Sequence, residues 1–516
     1  MNNLLSHTDK PIIWSISGAD CSGGAGIAAD IKTAHVLGCE LCHLVTANTV
    51  QNSQQLVAVN ATDVTILQQQ EQILITDKPP QVIKIGLIAN AEQLDWLVNL
   101  LVMLKSKKPE IMVVYDPVGQ ASVGGGLSSL SPAQLAALLP CIDLLTPNLE
   151  EAQQLTESVS EDMTELSRRL TQLGVKQVII KGGHGGGETS VDYAYSANEQ
   201  RAYQLVSPRI VTDYSHGGGC TFASALASFL AHHYLLRDAF TLAKAFIQQG
   251  LKQHQGKLGY YGAFEQTQWP GKLADFPRVI TEISDQSPPL PAFNSLSIER
   301  DNHQGLGLYP VVDSVEWLAR LMPLGINIIQ LRLKGLSEQA LRDEISRAVE
   351  LSQQYDCQLF INDYWQLAIE YGAYGVHIGQ EDLIDADLHA IAQAGLRLGV
   401  STHGCYEFLL AQQLKPSYLA IGAIFPTTTK DMTGQIQGLN NLRQILQLAT
   451  DIPVVAIGGI NLERAPAVWQ TGVDSLAVVT AITHAENPEQ ATRDLQRICS
   501  GKKDLYQFDS VKASCS

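Results

Sequence analysis

The sequence predicts an α/β protein in two parts, an N-terminal α/β sandwich on an open, mostly parallel sheet followed by a C-terminal TIM (β/α)8 barrel. Three observations predict it. Over the first 262 residues, short glycine-punctuated apolar runs alternate with helical segments, the pattern of strands joined by crossover helices. From about residue 305, eight apolar runs, each followed by helical sequence, are enough to close a barrel. Between them, residues 263–304 lose periodicity and gather Pro and Ser ("WPGKLADFPRV", "SDQSPPLPAFNS"), as a linker does. At 516 residues the chain exceeds a single core, since a domain takes roughly 150 residues.

In order, the strands expected in residues 1–262 are "PIIWSIS", "HLVTANT", "QVIKIG", "IMVVYDP", "DLLTPN" and "KQVIIKGG". A parallel sheet binds ligands at the carboxyl ends of such strands. The linker follows, with Trp269, Phe276 and Phe293 available for local packing. The barrel strands expected in residues 305–503 are "LYPVV", "IIQLR", "QLFIN", "GVHIG", "LRLGV", "YLAIG", "PVVAIG" and "SLAVV", and residues 504–516 form a frayed tail. Active sites of such barrels lie in the loops after the strands.

Composition narrows the function. With 45% hydrophobic and 17% charged residues and a net charge of -17, the chain reads as a globular protein without the clustered Lys and Arg of a nucleic-acid surface. It carries no charged leader followed by an apolar stretch and no run of about 18 apolar residues, so a cytoplasmic location and no membrane partner are expected. Nine cysteines are too few for a disulfide framework. "CELCH" (Cys39–His43) has the spacing of a haem attachment, but that chemistry needs an exported protein, and core cysteines are the simpler reading.

Chemistry in the first half centres on "TDYSHGGGCTFASALASFL". The glycines Gly217, Gly218 and Gly219 run into Cys220 and a helix-spaced apolar pattern. A glycine loop opening a helix collects backbone N–H groups and the positive dipole end, which makes an anion site. "SGADCSGGAGIAADIKT" places Gly18, Asp20 and Ser22 before a helix carrying Asp30. No Gly-Lys-Ser/Thr follows, so it is no Walker loop, and a tight strand-to-helix turn explains its glycines equally well. Asn148 and Glu151 of "TPNLEEA" share a helix face at i and i+3. They could hold Mg²⁺ through water or simply cap the helix. "KGGHGGG" offers Lys181.

In that order, "SGADCSGGAGIAADIKT", "VQN", "KIGL", "DPV", "TPNLEEA", "KGGH" and "HGGGCT" resemble the ribokinase-like hydroxymethylpyrimidine (phosphate) kinases over residues 11–262. The resemblance implies that the triple-glycine loop holds the γ-phosphate of ATP and that Cys220 takes the base position. A helix N-terminus favours a thiolate, although a small packed cysteine is the rival reading. It further implies that Asp30 and Gln51 hydrogen-bond the pyrimidine in a pocket shaped by Gly18, Thr49 and Val118, while Asn148, Glu151 and Lys181 handle Mg-ATP. Three positions depart from the family: Gly218 stands for the usual threonine, Leu87 for a methionine, and Gly119 for a bulkier residue.

In the second half, Gln330, Arg332 and Lys334 alternate in "IIQLRLK" and so point to one side. Asn362 and Asp363, then His377, Gln380 and Asp382, then Ser401 and His403 follow later strands, and "IFPTTTK" adds Thr427, Thr429 and Lys430 from a loop. Carboxylates with cations at one barrel mouth suit a magnesium pyrophosphate. "IGGIN" (Gly458, Gly459) and Thr480 stand after strands seven and eight, where barrels hold phosphate.

Residues 306 to about 498 resemble thiamine-phosphate synthase. The resemblance implies Mg²⁺ on Asp363 and Asp382. It puts the pyrimidine diphosphate on Arg332, Lys334, Asn362 and Lys430, with Gln330 and Ser401 near its ring. Thiazole phosphate falls to Thr427, Thr429, Gly459 and Thr480. The two halves together imply a bifunctional transferase of thiamine biosynthesis, with ATP and Mg²⁺ required and hydroxymethylpyrimidine and thiazole phosphate as substrates; a homodimer is left open. The rivals are a first half acting on pyridoxal-type alcohols, a first half reduced to a pyrimidine-binding module, and a barrel isomerase.

Overall fold

The structure, a computed structural model, describes residues 10–52, 54–119, 125–183, 186–253, 262–281, 283–284, 289–297, 306–427 and 436–501. It divides into two compact units, Met1–Thr281 and Glu282–Ser516.

The first unit is built on strands β1 (Ile12–Asp20), β2 (Glu40–Gln51), β3 (Leu56–Ala61), β4 (Val82–Ile85), β5 (Met112–Tyr115), β6 (Leu144–Leu145), β7 (Gln177–Ile180), β8 (Thr189–Ser196), β9 (Arg201–Pro208) and β10 (Arg278–Ile280). They form one sheet in the order β10-β9-β8-β7-β6-β5-β4-β1-β2-β3. The six strands expected from sequence are its parallel centre. The four strands that extend it, β3, β8, β9 and β10, are all antiparallel to their neighbours. Because β2 and β4 flank β1 on opposite sides, the strand order switches direction there, and such a switch opens a crevice at the carboxyl ends.

Packing follows from the apolar runs. Trp14, Ile16, Ile83, Ile85, Val113 and Tyr115 face the helix Ala91–Lys107, which turns Leu94, Leu97, Leu101 and Leu104 toward them. That helix is started by Asn90, whose side chain accepts from Gln93 N, the usual capping of an orphan amide. The helix Gly218–Ala231 is buried on nearly every face.

The second unit closes into a parallel barrel of eight strands, β11 (Gly307–Val312), β12 (Ile328–Leu331), β13 (Gln358–Asn362), β14 (Gly375–Ile378), β15 (Arg397–Thr402), β16 (Tyr418–Ile421), β17 (Val454–Ile457) and β18 (Ser475–Val478). Each matches one of the eight runs read from sequence. Tyr309, Phe360 and Tyr418 fill its interior edge to face at 5.1–6.3 Å. Glycines make room for them: a Cβ on Gly399 would overlap the Tyr418 ring, and one on Gly375 the Phe360 ring.

The expected linker is corrected by the structure. Residues 263–281 belong to the first unit: β10 pairs with β9, Phe264 and Val279 are buried, and Gln249 donates to Thr267. Residues 293–297 belong to the second, where Leu296 joins the barrel core and Ser417 and Gln358 donate to the carbonyls of Asn294 and Ser297. Both pieces are extended covering segments, which carry no helical or strand period for a sequence reading to find. Among the described residues, no helix is long and apolar enough to cross a membrane.

Candidate active sites

At the carboxyl ends of the first sheet, two loops lock together. Gly217 starts the helix Gly218–Ala231 at φ +82, and a Cβ there would overlap the Gly24 carbonyl, so only glycine fits. Asp20, ending β1, accepts hydrogen bonds from His216 Nε2 (2.9 Å), Ser22 N and Oγ (2.8 Å each) and Ala25 N (3.0 Å). Burial pushes the Asp20 carboxyl up, but His216 and Ser22 reverse this and hold it well below the usual range.

Cys220 lies in the first turn of that helix, half-buried, with the Gly26 N–H directed at its sulfur. The expectation of a lowered thiol does not hold. Burial pushes it up to about 11; Lys84 pulls it down, while Asp30 and Asp116 push it further up. The helix terminus and one cation are outweighed by desolvation and two carboxylates.

Asp30 sits in a buried network. Its carboxylate is fully buried and is taken up by Lys84 Nζ (2.9 and 3.0 Å), Ser15 Oγ (2.6 Å) and Ser224 Oγ (2.6 Å). These donors tie β1, β4 and two helices together beneath Cys220 and turn the carboxylate inward. Lys84 stays charged: burial lowers it, but Asp30 holds it above the usual lysine range.

A second cluster lies beside Gly219. Lys181 Nζ is 2.6 Å from Asp116 Oδ1, and a Cβ on Gly219 would stand 3.6 Å from Lys181 Nζ and 3.7 Å from Asp116 Oδ2. Asn148 and Glu151 form a capping box, each side chain accepting from the other's backbone N–H at 2.8 and 2.7 Å. Burial pushes Glu151 up to about 7, with Lys181 opposing and Asp116 adding to the rise. Two carboxylates that crowd each other around one lysine suit a bound cation or a polyphosphate with its metal.

Of the remaining expected pocket residues, Gly18 packs on Leu87, with no room for a side chain. Thr49 Oγ1 donates to Ala19 O (3.1 Å), Cys21 Sγ donates to the Gln51 carbonyl (3.1 Å), and Val118 lines a cavity of about 200 Å³ with Tyr115, Pro117 and Glu151. Gly218 has open space on its Cβ side. Sequence names Asp20 and carries Lys84 and Asp116 inside "KIGL" and "DPV", but it does not pair Asp20 with His216 or Lys84 with Asp30; a lysine inside the apolar run "VIKIG" is the available signal of a buried partner.

In the barrel, Asp363 follows β13 with φ +65, a left-handed backbone that an aspartate tolerates better than most residues. Its Oδ2 is 3.2 Å from Lys334 Nζ, and its charge acts on the neighbouring Asp382 carboxyl. Burial and the Asp363 charge raise Asp382 above the usual carboxylate range. Two adjacent hard-oxygen carboxylates that repel each other fit a divalent cation, since Mg²⁺ takes one or two carboxylates and completes its shell with water and phosphate. Asn362 is buried at the end of β13, and Arg332 is half-buried after β12.

Gln330 Nε2 donates to Tyr309 OH (3.2 Å). Ser401 Oγ is 2.8 Å from His377 Nε2, and its carbonyl accepts from Gln380 (2.6 Å). Burial lowers His377 to about 4, so the ring is neutral. After β17, Gly459 turns at φ +63 with its Cβ side blocked by Phe425 and Pro426, and Arg464 donates to its carbonyl (2.8 Å). Thr480 opens the short helix after β18. Thr427 is described, whereas Thr429 and Lys430 lie outside the described residues.

Fold and clusters together define the class: an open-sheet α/β unit followed by a parallel (β/α)8 barrel, each with charged groups gathered at its strand ends. Comparison with known proteins narrows it. The phosphomethylpyrimidine kinase family model matches residues 20–264, and that of thiamine monophosphate synthase matches residues 308–482. The second half is 55% identical over 198 residues to the thiamine-phosphate synthase of Serratia proteamaculans, covering 38% of this chain and 93% of that one. It is 54% identical over 196 residues to that of Photorhabdus laumondii, covering 38% and 91%. Among solved structures, the first half is similar to a phosphomethylpyrimidine kinase from Clostridium difficile (32% identity, TM-score 0.41, 47% of this chain and 100% of that one). It is also similar to the pyridoxal kinase of Staphylococcus aureus in complex with AMP-PCP and pyridoxal (26%, TM-score 0.45, 52% and 98%). The chain belongs to the phosphomethylpyrimidine kinases over its first unit and to the thiamine-phosphate synthases over its second.

Proposed function

We propose that this chain carries out two consecutive steps of thiamine biosynthesis. The first unit phosphorylates hydroxymethylpyrimidine and its phosphate with ATP, and the second couples the resulting diphosphate to thiazole phosphate, giving thiamine phosphate and pyrophosphate. The observation that carries the reading is that a family acting on the pyrimidine phosphate and a family forming thiamine phosphate occupy one chain, each with charged groups gathered at its strand ends.

In the first unit, the N–H groups of Gly218 and Gly219 and the Lys181 ammonium would stabilise the charge of the transferring phosphoryl group, which is most of what such catalysis requires. Cys220 is the candidate base for the alcohol; with its thiol near 11, only a small thiolate fraction stands ready at neutral pH. Asn148 shapes the helix start beside Glu151, and Gly18, Thr49, Gln51 and Val118 frame the pyrimidine; Asp30 acts from beneath, through Lys84.

In the second unit, Arg332, Lys334, Asn362 and Lys430 would hold the leaving pyrophosphate as the carbon–oxygen bond breaks, and Gln330 and Ser401 would fix the pyrimidine. Thr427, Thr429, Gly459 and Thr480 would seat the thiazole phosphate so that its ring nitrogen faces the reacting carbon. Magnesium held by Asp363 and Asp382 would supply charge neutralisation to the departing group.

The test is thiamine phosphate formation by the purified chain from hydroxymethylpyrimidine, ATP, Mg²⁺ and thiazole phosphate, beside a control given the pyrimidine diphosphate. Product in both supports two activities; product in the control alone removes the kinase step. Cys220→Ala is expected to abolish the kinase and spare the synthase, and Asp363→Ala the reverse. Equal loss of both activities in either variant would defeat the two-site reading.

A further inference from the structure

The barrel interior holds a continuous hydrogen-bonded line that joins two proposed substrate contacts. It runs from Gln330 Nε2 to Tyr309 OH (3.2 Å), to Tyr418 OH (2.7 Å), to His377 Nδ1 (2.8 Å) and from His377 Nε2 to Ser401 Oγ (2.8 Å). Tyr309 and Tyr418 are buried, and the His377 ring stacks on Tyr418 at 5.6 Å and 19°.

With the Gln330 amide nitrogen facing Tyr309, proton counting gives this line one direction. An amide nitrogen only donates, and a phenol has one proton. Tyr309 accepts from Gln330, so its own proton goes to Tyr418, its other partner among the described residues. Tyr418 then donates to His377 Nδ1, which leaves the ring hydrogen on Nε2, donated to Ser401 Oγ. The Ser401 proton is thereby turned away from His377. At the opposite end, Gln330 turns its amide hydrogens to the Tyr309 and Tyr418 phenols, which leaves Oε1 as the acceptor it offers. The line thus presents one donor, Ser401, and one acceptor, Gln330.

We infer that Tyr309, Tyr418 and His377 are specificity-determining positioning residues that set this donor–acceptor polarity so that the barrel reads a 4-aminopyrimidine edge. Such an edge offers a ring nitrogen that accepts beside an amino group that donates. A 4-oxopyrimidine offers the reverse, and to accommodate it the Gln330 amide must turn over and each proton along the line must move to the other side of its bond. Selection is therefore collective, and no single contact residue carries it alone. The inference rests on the placement of the pyrimidine at Gln330 and Ser401.

The test compares the KM of the 4-amino diphosphate with the inhibition constant of its 4-oxo analogue, in the full chain. A site whose polar groups would be left mismatched discriminates by about a hundredfold. Tyr418→Phe keeps the ring and cuts the line, and is expected to reduce that ratio about tenfold or more. Nitrogen–proton correlation spectra of the unaltered protein are expected to show His377 protonated on Nε2. An Nδ1–H tautomer, or an unchanged ratio in a folded Tyr418→Phe, overturns the relay. Gln330→Ala separates the two levels: if it leaves both constants unchanged, the pyrimidine is not placed there and the relay falls with it. If it weakens the amino substrate while Tyr418→Phe changes nothing, only the relay fails.

Discussion

Lys84→Met is the perturbation that best separates a structural role from a binding role in the first unit. The Lys84 ammonium is 1% exposed and the Asp30 carboxylate 0%, and Ser15 and Ser224 complete the carboxylate's shell. Removing the cation while keeping the stem's volume leaves Asp30 charged, buried and held only by two hydroxyls. Breaking a buried pair from one side costs about 3–5 kcal/mol, which for a unit of this size lowers the melting temperature by roughly 10 °C. Urea unfolding followed by tryptophan fluorescence measures it, because Trp14 is fully buried on β1, the strand paired with β4. Asp30→Asn in the Lys84→Met background removes the orphaned charge, so the double variant is expected to fall short of the summed single losses by about 2 kcal/mol. A loss under about 1 kcal/mol for Lys84→Met, or strict additivity, would refute the account. Asp30→Asn that raised the pyrimidine KM without loss of stability would restore a direct substrate contact.

Three further outcomes are expected. Gly217→Ala should cost about 2 kcal/mol through its left-handed backbone and the overlap with Gly24 and take kinase activity with it. Gly218→Thr, which meets open space, should change the melting temperature little; a Gly218→Thr variant as unstable as Gly217→Ala would show that the loop is tighter than described. If the Cys220 thiolate is the base, kinase kcat should climb about tenfold per pH unit between roughly 7 and 10, since ionisation lies near 11; a flat profile over that range removes the thiolate from the mechanism. Gly399→Ala should lose about 1–3 kcal/mol by crowding the Tyr418 ring, read by thermal unfolding, and an unchanged melting temperature would mean that the ring has space to move.

The parallel strands were legible because burial on both faces writes them as continuous apolar runs. "QVIKIG" and "IMVVYDP" need no partner to be recognised, and all eight barrel runs behaved the same way. The antiparallel extension of the first sheet escaped for the opposite reason. "TSVDYAYS" and "RAYQLVSP" alternate polar with apolar residues and keep several side chains exposed, so they resemble surface sequence between helices. β10, three residues long, has no period to detect, and a stretch rich in proline has the composition of a linker although its ends are bound to two different cores.

Site residues divide along a similar line. Glycine loops and charged residues at strand ends were visible because their position in the pattern already places them at a ligand-facing edge. The groups that set their chemistry were not, because each is polar within an apolar run and meets its partner far along the chain: Lys84 finds Asp30 across 54 residues, and Tyr418 finds His377 across 41. A buried polar side chain must be satisfied, so a lysine or tyrosine inside such a run announces that a partner exists without saying which. Only the fold supplies that, and it changes the chemical conclusion. The helix start that argues for a Cys220 thiolate is one contribution among several: burial of the thiol outweighs it, and the carboxylates brought beside it by the helix Gly26–Val36 and by the residue after β5 add to the rise. Spacing can therefore nominate a candidate residue, whereas its protonation belongs to neighbours that spacing does not reveal.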